Sequence, residues 1–156
     1  MDTLLRKHAQ AIFNVCMRMA QDEDDAHDIA QETCIKIMKG LEKFERKAAF
    51  STWAHRIAYH ESLRFLQKRR EHVDLDEVAP YLGTPDDYGI DARDAERLVR
   101  ASLDSLGKID RMIVLFFYYD ELKIREISEI MNMNESTVKT RLSRAKSFLR
   151  IQLEPL

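Results

Sequence analysis

Glycine, proline and cysteine are scarce in this 156-residue chain, at four, three and two residues. Two thiols, Cys16 and Cys34, are too few for a disulfide framework, and both fall in helix-like patterns. Long apolar runs are missing too. The longest, such as 112–119, stop far short of the roughly 20 residues that span a bilayer, so no membrane insertion is expected. The start, MDTLLRKHAQ, has no basic opening, apolar middle and small-residue cleavage site, so the chain is expected to stay in the cytoplasm. There is no glycine-rich phosphate loop, no HExxH, and no Ser or Cys in a recognisable nucleophile setting. These absences argue against an enzyme and against a cofactor. What is present, 45% apolar and 33% charged residues, suits an ordered protein of one ordinary domain or two small ones.

The breakers that do occur are unevenly placed. Pro80, Gly83, Pro85 and Gly89 crowd into ten residues, which marks a linker. Dividing the charges there gives 13 basic against 10 acidic (+3) for 1–70, 2 against 9 (−7) for 71–97, and 10 against 8 (+2) for 98–156. The net −2 therefore hides two mildly basic ends joined by an acidic segment, the pattern of two small domains on a tether.

Both ends read as helices, and no period-two strand pattern occurs. Leu5, Ala9, Ile12, Phe13, Cys16, Met17 and Ala20 share one face of a helix over about 3–20. Asp22, Glu23 and Asp24 favour a second helix start, since carboxylates suit the positive end of the helix dipole. Ile29, Thr33, Ile37, Leu41 and Phe44 supply its buried stripe. Ser51 or Thr52 can cap a third helix running to about residue 70. Beyond the linker, Leu98, Val99, Leu103 and Leu106 form a stripe that Gly107 ends, and 109–119 is a nearly all-apolar helix. A short helix over 124–131, a turn of Asn132, Met133 and Asn134, and a last helix over 135–152 capped by Asn134 make a helix-turn-helix.

On that last helix, Val138, Leu142, Ala145, Phe148 and Leu149 fall within about 80° of one another and form the core face. Opposite lie Ser136, Thr140, Ser143 and Ser147, flanked by Lys139, Arg144 and Arg150. Short hydroxyls let a helix backbone approach base edges in the major groove, and long cations at the margin reach guanines or phosphates. Five cations lie in 139–150 with no acid among them, whereas an ordinary solvated face mixes both signs.

The third helix carries Phe50, Trp53, Tyr59 and Phe65 among Arg56, Arg64, Lys68, Arg69 and Arg70, with a stripe of Trp53, Arg56, His60, Arg64 and Gln67. Cations beside rings suit a groove that holds single-stranded nucleic acid. For Trp53, core packing and DNA contact are both open, and Phe65 reads as core. The second helix opens with Asp22, Glu23, Asp24 and Asp25 and continues through Asp28, Gln31 and Glu32: a solvated face, or a docking surface for a basic partner protein. It is no calcium loop, because the sixth position, which needs Gly, is His27 or Ile29. His55 and His60 lie five apart, off the four-residue step of a helical metal pair, so no metal is expected.

Taken in this order, the three features resemble bacterial sigma factors of the extracytoplasmic-function (ECF) type. DDAHDIAQETCIKIMK at 24–39 looks like the family's polymerase-gripping segment, with the Asp, Gln and Glu of D-x-x-Q-E on Asp28, Gln31 and Glu32. FSTWAHR at 50–56, followed by Ile57 and Ala58, looks like the segment that opens and reads the minus-10 element. STVKTRLSRAKSFLR at 136–150 looks like the minus-35 reader.

The resemblance implies an all-α fold of two small domains: sigma region 2 at 1–72, an acidic flexible linker at 73–97, and the region 4 helix-turn-helix at 98–156. It implies that Asp28, Gln31 and Glu32 bind core RNA polymerase, at the coiled-coil clamp of its largest subunit. Trp53, Arg56, Tyr59, His60 and Arg64 would serve the minus-10 element, with the loop 45–49 near a flipped base. Ser136, Lys139, Thr140, Ser143 and Arg144 would serve the minus-35 element. Where this chain has His60 the family often has Asn. An anti-sigma factor is implied as a further partner. The alternative is a two-domain helix-turn-helix regulator that acts at an operator without being a polymerase subunit.

Overall fold

The computed structural model describes residues 2–45, 49–72 and 92–154. The proposed linker, apart from 92–97, and positions 46–48 of the loop 45–49 lie outside them. The described residues form seven α-helices, α1 (Asp2–Ala20), α2 (Glu23–Gly40), α3 (Phe50–His72), α4 (Ala92–Ser105), α5 (Lys108–Tyr118), α6 (Ile124–Met131) and α7 (Glu135–Gln152), and a single 3₁₀ turn at Leu41–Lys43. No strand occurs among them.

α1 and α2 form a hairpin because Gln21 takes the left-handed conformation (φ 57°) and Asp22 accepts a hydrogen bond from the Asp25 N–H at 3.0 Å, capping α2. α3 packs across both. Ile12, Val15, Cys16 and Met19 of α1 meet Ala26, Ile29 and Ile37 of α2 and Ala54 and Ala58 of α3. The small side chains of α3 let its backbone come close. Two buried hydroxyls are satisfied locally, Thr33 donating to the Ile29 carbonyl and Ser62 to the Ala58 carbonyl.

α4 to α7 enclose a second apolar centre, with Met112 to Phe116 of α5 all buried against Ile127 and Ile130 of α6 and Val138, Leu142 and Ala145 of α7.

Three local expectations need correction. α3 begins at Phe50, with the Trp53 N–H donating to the Ala49 carbonyl at 3.1 Å, so Ser51 and Thr52 lie inside its first turn and cap nothing. α4 begins at Ala92, within the segment read as linker, with Asp94 suited to the positive end of the helix. Asn134 occupies the cap position of α7, but its side chain makes no capping bond.

The two helical groups also touch. α3 lies along α6, and His55 and Tyr59 of α3 meet Phe116 of α5, each ring centre 6.2 Å from that of Phe116. The two halves also share one buried apolar cluster.

Candidate nucleic-acid interface

The turn between α6 and α7 is made by Asn132 in the left-handed conformation (φ 54°) and by the Met133 N–H donating to the Ser128 carbonyl at 3.0 Å. α7 is seated by Val138, Leu142 and Ala145, with Phe148 and Leu149 half-buried. That seating leaves Ser136, Lys139, Thr140, Ser143 and Arg144 exposed together on the outer face. The Thr140 hydroxyl donates to the Ser136 carbonyl at 2.9 Å, which keeps the acceptor lone pairs of its oxygen outward. Of the five cations, Arg141 pairs with Asp110 at 2.9 Å and Lys146 lies 6.0 Å from the Tyr118 ring centre. Lys139, Arg144 and Arg150 have no ion-pair partner among the described residues, so their charge faces outward.

On α3, Trp53, Arg56 and His60 come together around an open cleft of about 280 Å³, lined also by Lys36, Ile57 and Glu61. Lys36 of α2 and Glu61 of α3 form an ion pair in its wall. Arg64 stands one turn on, exposed and 3.8 Å from Glu61. Trp53 is half-buried in a ring cluster, its centre 4.8 Å from Phe44 and 5.7 Å from Phe50. Its indole also lies over Gly40, where a Cβ would stand 3.0 Å from Cζ2. Both readings of this residue therefore have support: one part of the ring is packed and another lines the cleft.

Tyr59 is not brought to that cleft. It is 4% exposed, turned to Phe116, and burial pushes its hydroxyl pKa above the usual range. His60 is half-buried between the cleft and α6. Burial, then the Arg56 charge, holds its pKa below the ordinary histidine value, with the nearby Ile130 backbone working the other way.

Asp28, Gln31 and Glu32 are all exposed on α2, with no ion-pair partner among the described residues. Nearby acids are already engaged: Asp25 pairs with Arg69 of α3, and Glu23 lies 3.8 Å from His27. Ile35 (37% exposed) and Met38 (54%) continue this face, two apolar residues the sequence reasoning missed. Their three- and four-residue steps from Asp28 and Glu32 were the available signal. No group of three His, Cys, Asp or Glu among the described residues could hold a metal ion. No helix is long and apolar enough to cross a membrane, again among the described residues.

The family model of Sigma-70 region 2 matches residues 4–72, and that of Sigma-70 region 4 matches 96–149. Among curated relatives, the chain is 31% identical to the RNA polymerase sigma factor SigV of Bacillus subtilis, over 97% of this chain and 89% of that one. It is 32% identical to the ECF RNA polymerase sigma factor SigW of the same organism, over 93% and 84%. Among solved structures it is similar to the sigma factor RpoE in complex with the anti-sigma factor NepR from Bartonella quintana (TM-score 0.73, 19% identity, 98% of this chain and 96% of that one). CnrH in complex with the cytosolic domain of CnrY is also similar (TM-score 0.71, 19% identity, 99% and 87%).

Proposed function

Because the chain belongs to the ECF family of RNA polymerase sigma factors, we propose a division of labour among its surfaces. The chain is a transcription initiation factor that joins core polymerase, selects promoters and helps melt them, and the polymerase performs the chemistry. Residues 1–72 hold the polymerase and serve the minus-10 element, 73–97 link, and 98–156 read the minus-35 element. Asp28, Gln31 and Glu32, with Ile35 and Met38 beside them, dock on the core. Trp53, Arg56 and His60, with Arg64 one turn on, take the separated minus-10 strand. Ser136, Lys139, Thr140, Ser143 and Arg144 face the minus-35 duplex.

The observation that carries this reading is the outer face of α7, where small hydroxyls sit between unpaired cations on the second helix of a helix-turn-helix. The match of the first half to region 2 then favours a polymerase subunit over an operator-binding regulator, which would not need that half. A flipped base costs a few kcal/mol to unstack, and a cleft bordered by an indole and two cations can offset it only after the base has left the stack. Two readers on one chain also gain from effective concentration. An anti-sigma factor fits as a regulator, since the similar RpoE structure is of a complex with the anti-sigma factor NepR. The working compartment is the cytoplasm.

Run-off transcription with purified core tests the proposal. Initiation at positions set by this chain is expected, and Asp28→Lys with Glu32→Lys should abolish it without altering the helical circular-dichroism spectrum. Identical start sites with and without the chain would refute it.

A further inference from the structure

One acid stands in a cleft otherwise suited to an anionic strand. The cleft is bordered by the Trp53 indole, Arg56, Ile57 and His60 of α3, with Lys36 of α2 and Glu61 of α3 in its wall. At about 280 Å³ it falls just under the roughly 300–1,000 Å³ of clefts that take drug-sized ligands, the scale of a single base. A carboxylate there repels phosphates, so a strand backbone gains nothing from it. Glu61 is nonetheless held firmly in place. Its side chain is 14% exposed, Lys36 Nζ pairs with its Oε1, and Arg64 Nη1 stands 3.8 Å from the same oxygen. Both cations approach Oε1, which leaves Oε2 to accept from a ligand.

We propose that Glu61, oriented by Lys36, is a specificity determinant of this cleft: it selects a captured base that carries an exocyclic amino group, cytosine rather than thymine among the pyrimidines. The inference rests on the reading of the cleft as the seat of the separated minus-10 strand. A base taken out of the stack is read by stacking and by hydrogen bonds along its Watson–Crick edge. With the ring against the Trp53 indole, the cytosine N4 amino group can donate to Glu61 Oε2 while the neighbouring N3 accepts from the Lys36 ammonium. Thymine presents its O4 carbonyl where cytosine presents the amino group, lone pair against carboxylate. Its one edge donor, N3–H, lies between two carbonyl oxygens, so reaching it meets the same repulsion. Lys36 has two parts in this. It fixes the carboxylate before the base arrives, so less freedom is lost on binding, and it offsets a charge that would oppose the strand. A mere strut between α2 and α3 would need the ion pair as well, but its strength would not depend on which base is offered.

Unlabelled oligo-dC and oligo-dT of equal length test this with the full chain, because a homopolymer offers the same base whatever its register. Trp53 is the only tryptophan, so quenching of its emission reports a base in this cleft and not a strand held elsewhere. Oligo-dC should quench Trp53 with an affinity on the order of ten-fold above that of oligo-dT. Glu61→Gln, whose amide can donate to thymine O4 as well as accept from cytosine N4, should bring the two affinities together. Lys36→Met breaks the same ion pair but keeps the carboxylate, so it should weaken both strands and leave oligo-dC the tighter. Circular dichroism checks that both variants keep their helices. Equal affinities in the wild type, a preference for oligo-dC that survives Glu61→Gln, or a preference lost alike in both variants would overturn the role of Glu61 and leave the strand reading of the cleft standing. No quenching of Trp53 by either strand would defeat that reading and the inference with it.

Discussion

Replacing Gly40 by Ala tests whether Trp53 is a seated platform. The new Cβ would lie 3.0 Å from Cζ2 and 3.3 Å from Cη2 of the indole, where carbon atoms normally rest 3.5–4.0 Å apart. The ring cannot simply back away, because Phe44 and Phe50 stand 4.8 and 5.7 Å from it, centre to centre. Overpacking of this kind costs about 1–3 kcal/mol. Opposing it is the helix preference of Ala over Gly, at most about 1 kcal/mol and less at Gly40, the last residue of α2. The net is a loss of about 1–2 kcal/mol, or a fall of roughly 3–6 °C in melting temperature for a chain of this size. Trp53 is the single tryptophan, so its fluorescence reports the same event without a label. A displaced indole should emit at longer wavelength and bind a minus-10 single strand several-fold less tightly, since each base–ring stack is worth about 1–3 kcal/mol. A Gly40→Ala protein that melts higher with unchanged emission would refute the account, because the propensity gain would then act alone and the ring could not be resting on that backbone.

Arg144→Ala should cost on the order of 1–3 kcal/mol at a cognate minus-35 duplex if the guanidinium reads a base, or weaken all duplexes alike with a smaller salt slope if it holds a phosphate. Equal affinity on every duplex would remove it from the interface. For pH, His60 is held below its ordinary value by burial and then by Arg56, and His8 by burial and then by Lys7 and His55. Their folded-state values lie under the unfolded 6.5, so the unfolded chain takes up protons first. The stability they contribute is full above pH 6.5 and is lost as pH falls through the lowered values. Melting temperature should therefore decline between pH 6.5 and 5.5, less so in His60→Gln. A melting temperature that rises over that interval would contradict the assignment.

Elements with punctuation at both ends were legible. α6 and α7 have the bounds expected from the Asn132–Asn134 turn, because a left-handed Asn and an extended Asn134 are local devices that a short motif encodes. The start of α3 was not, since Ser51 and Thr52 have the chemistry of caps and only the Trp53 to Ala49 bond reveals the earlier turn. The partner of α3's inner face was hidden for a deeper reason. Thr52, His55, Tyr59 and Ser62 form a face whose polarity suggests solvent, yet all four are buried. Two of its polar groups are satisfied within the helix, His55 Nδ1 lying 2.7 Å from the Ser51 carbonyl and Ser62 donating to the Ala58 carbonyl, and Thr52 donates to Glu126 of α6, so the face leaves no apolar stripe to read. A helical wheel fixes which residues share a face, not what covers it. That is why Tyr59 reads as a companion of Arg56 although it faces Phe116.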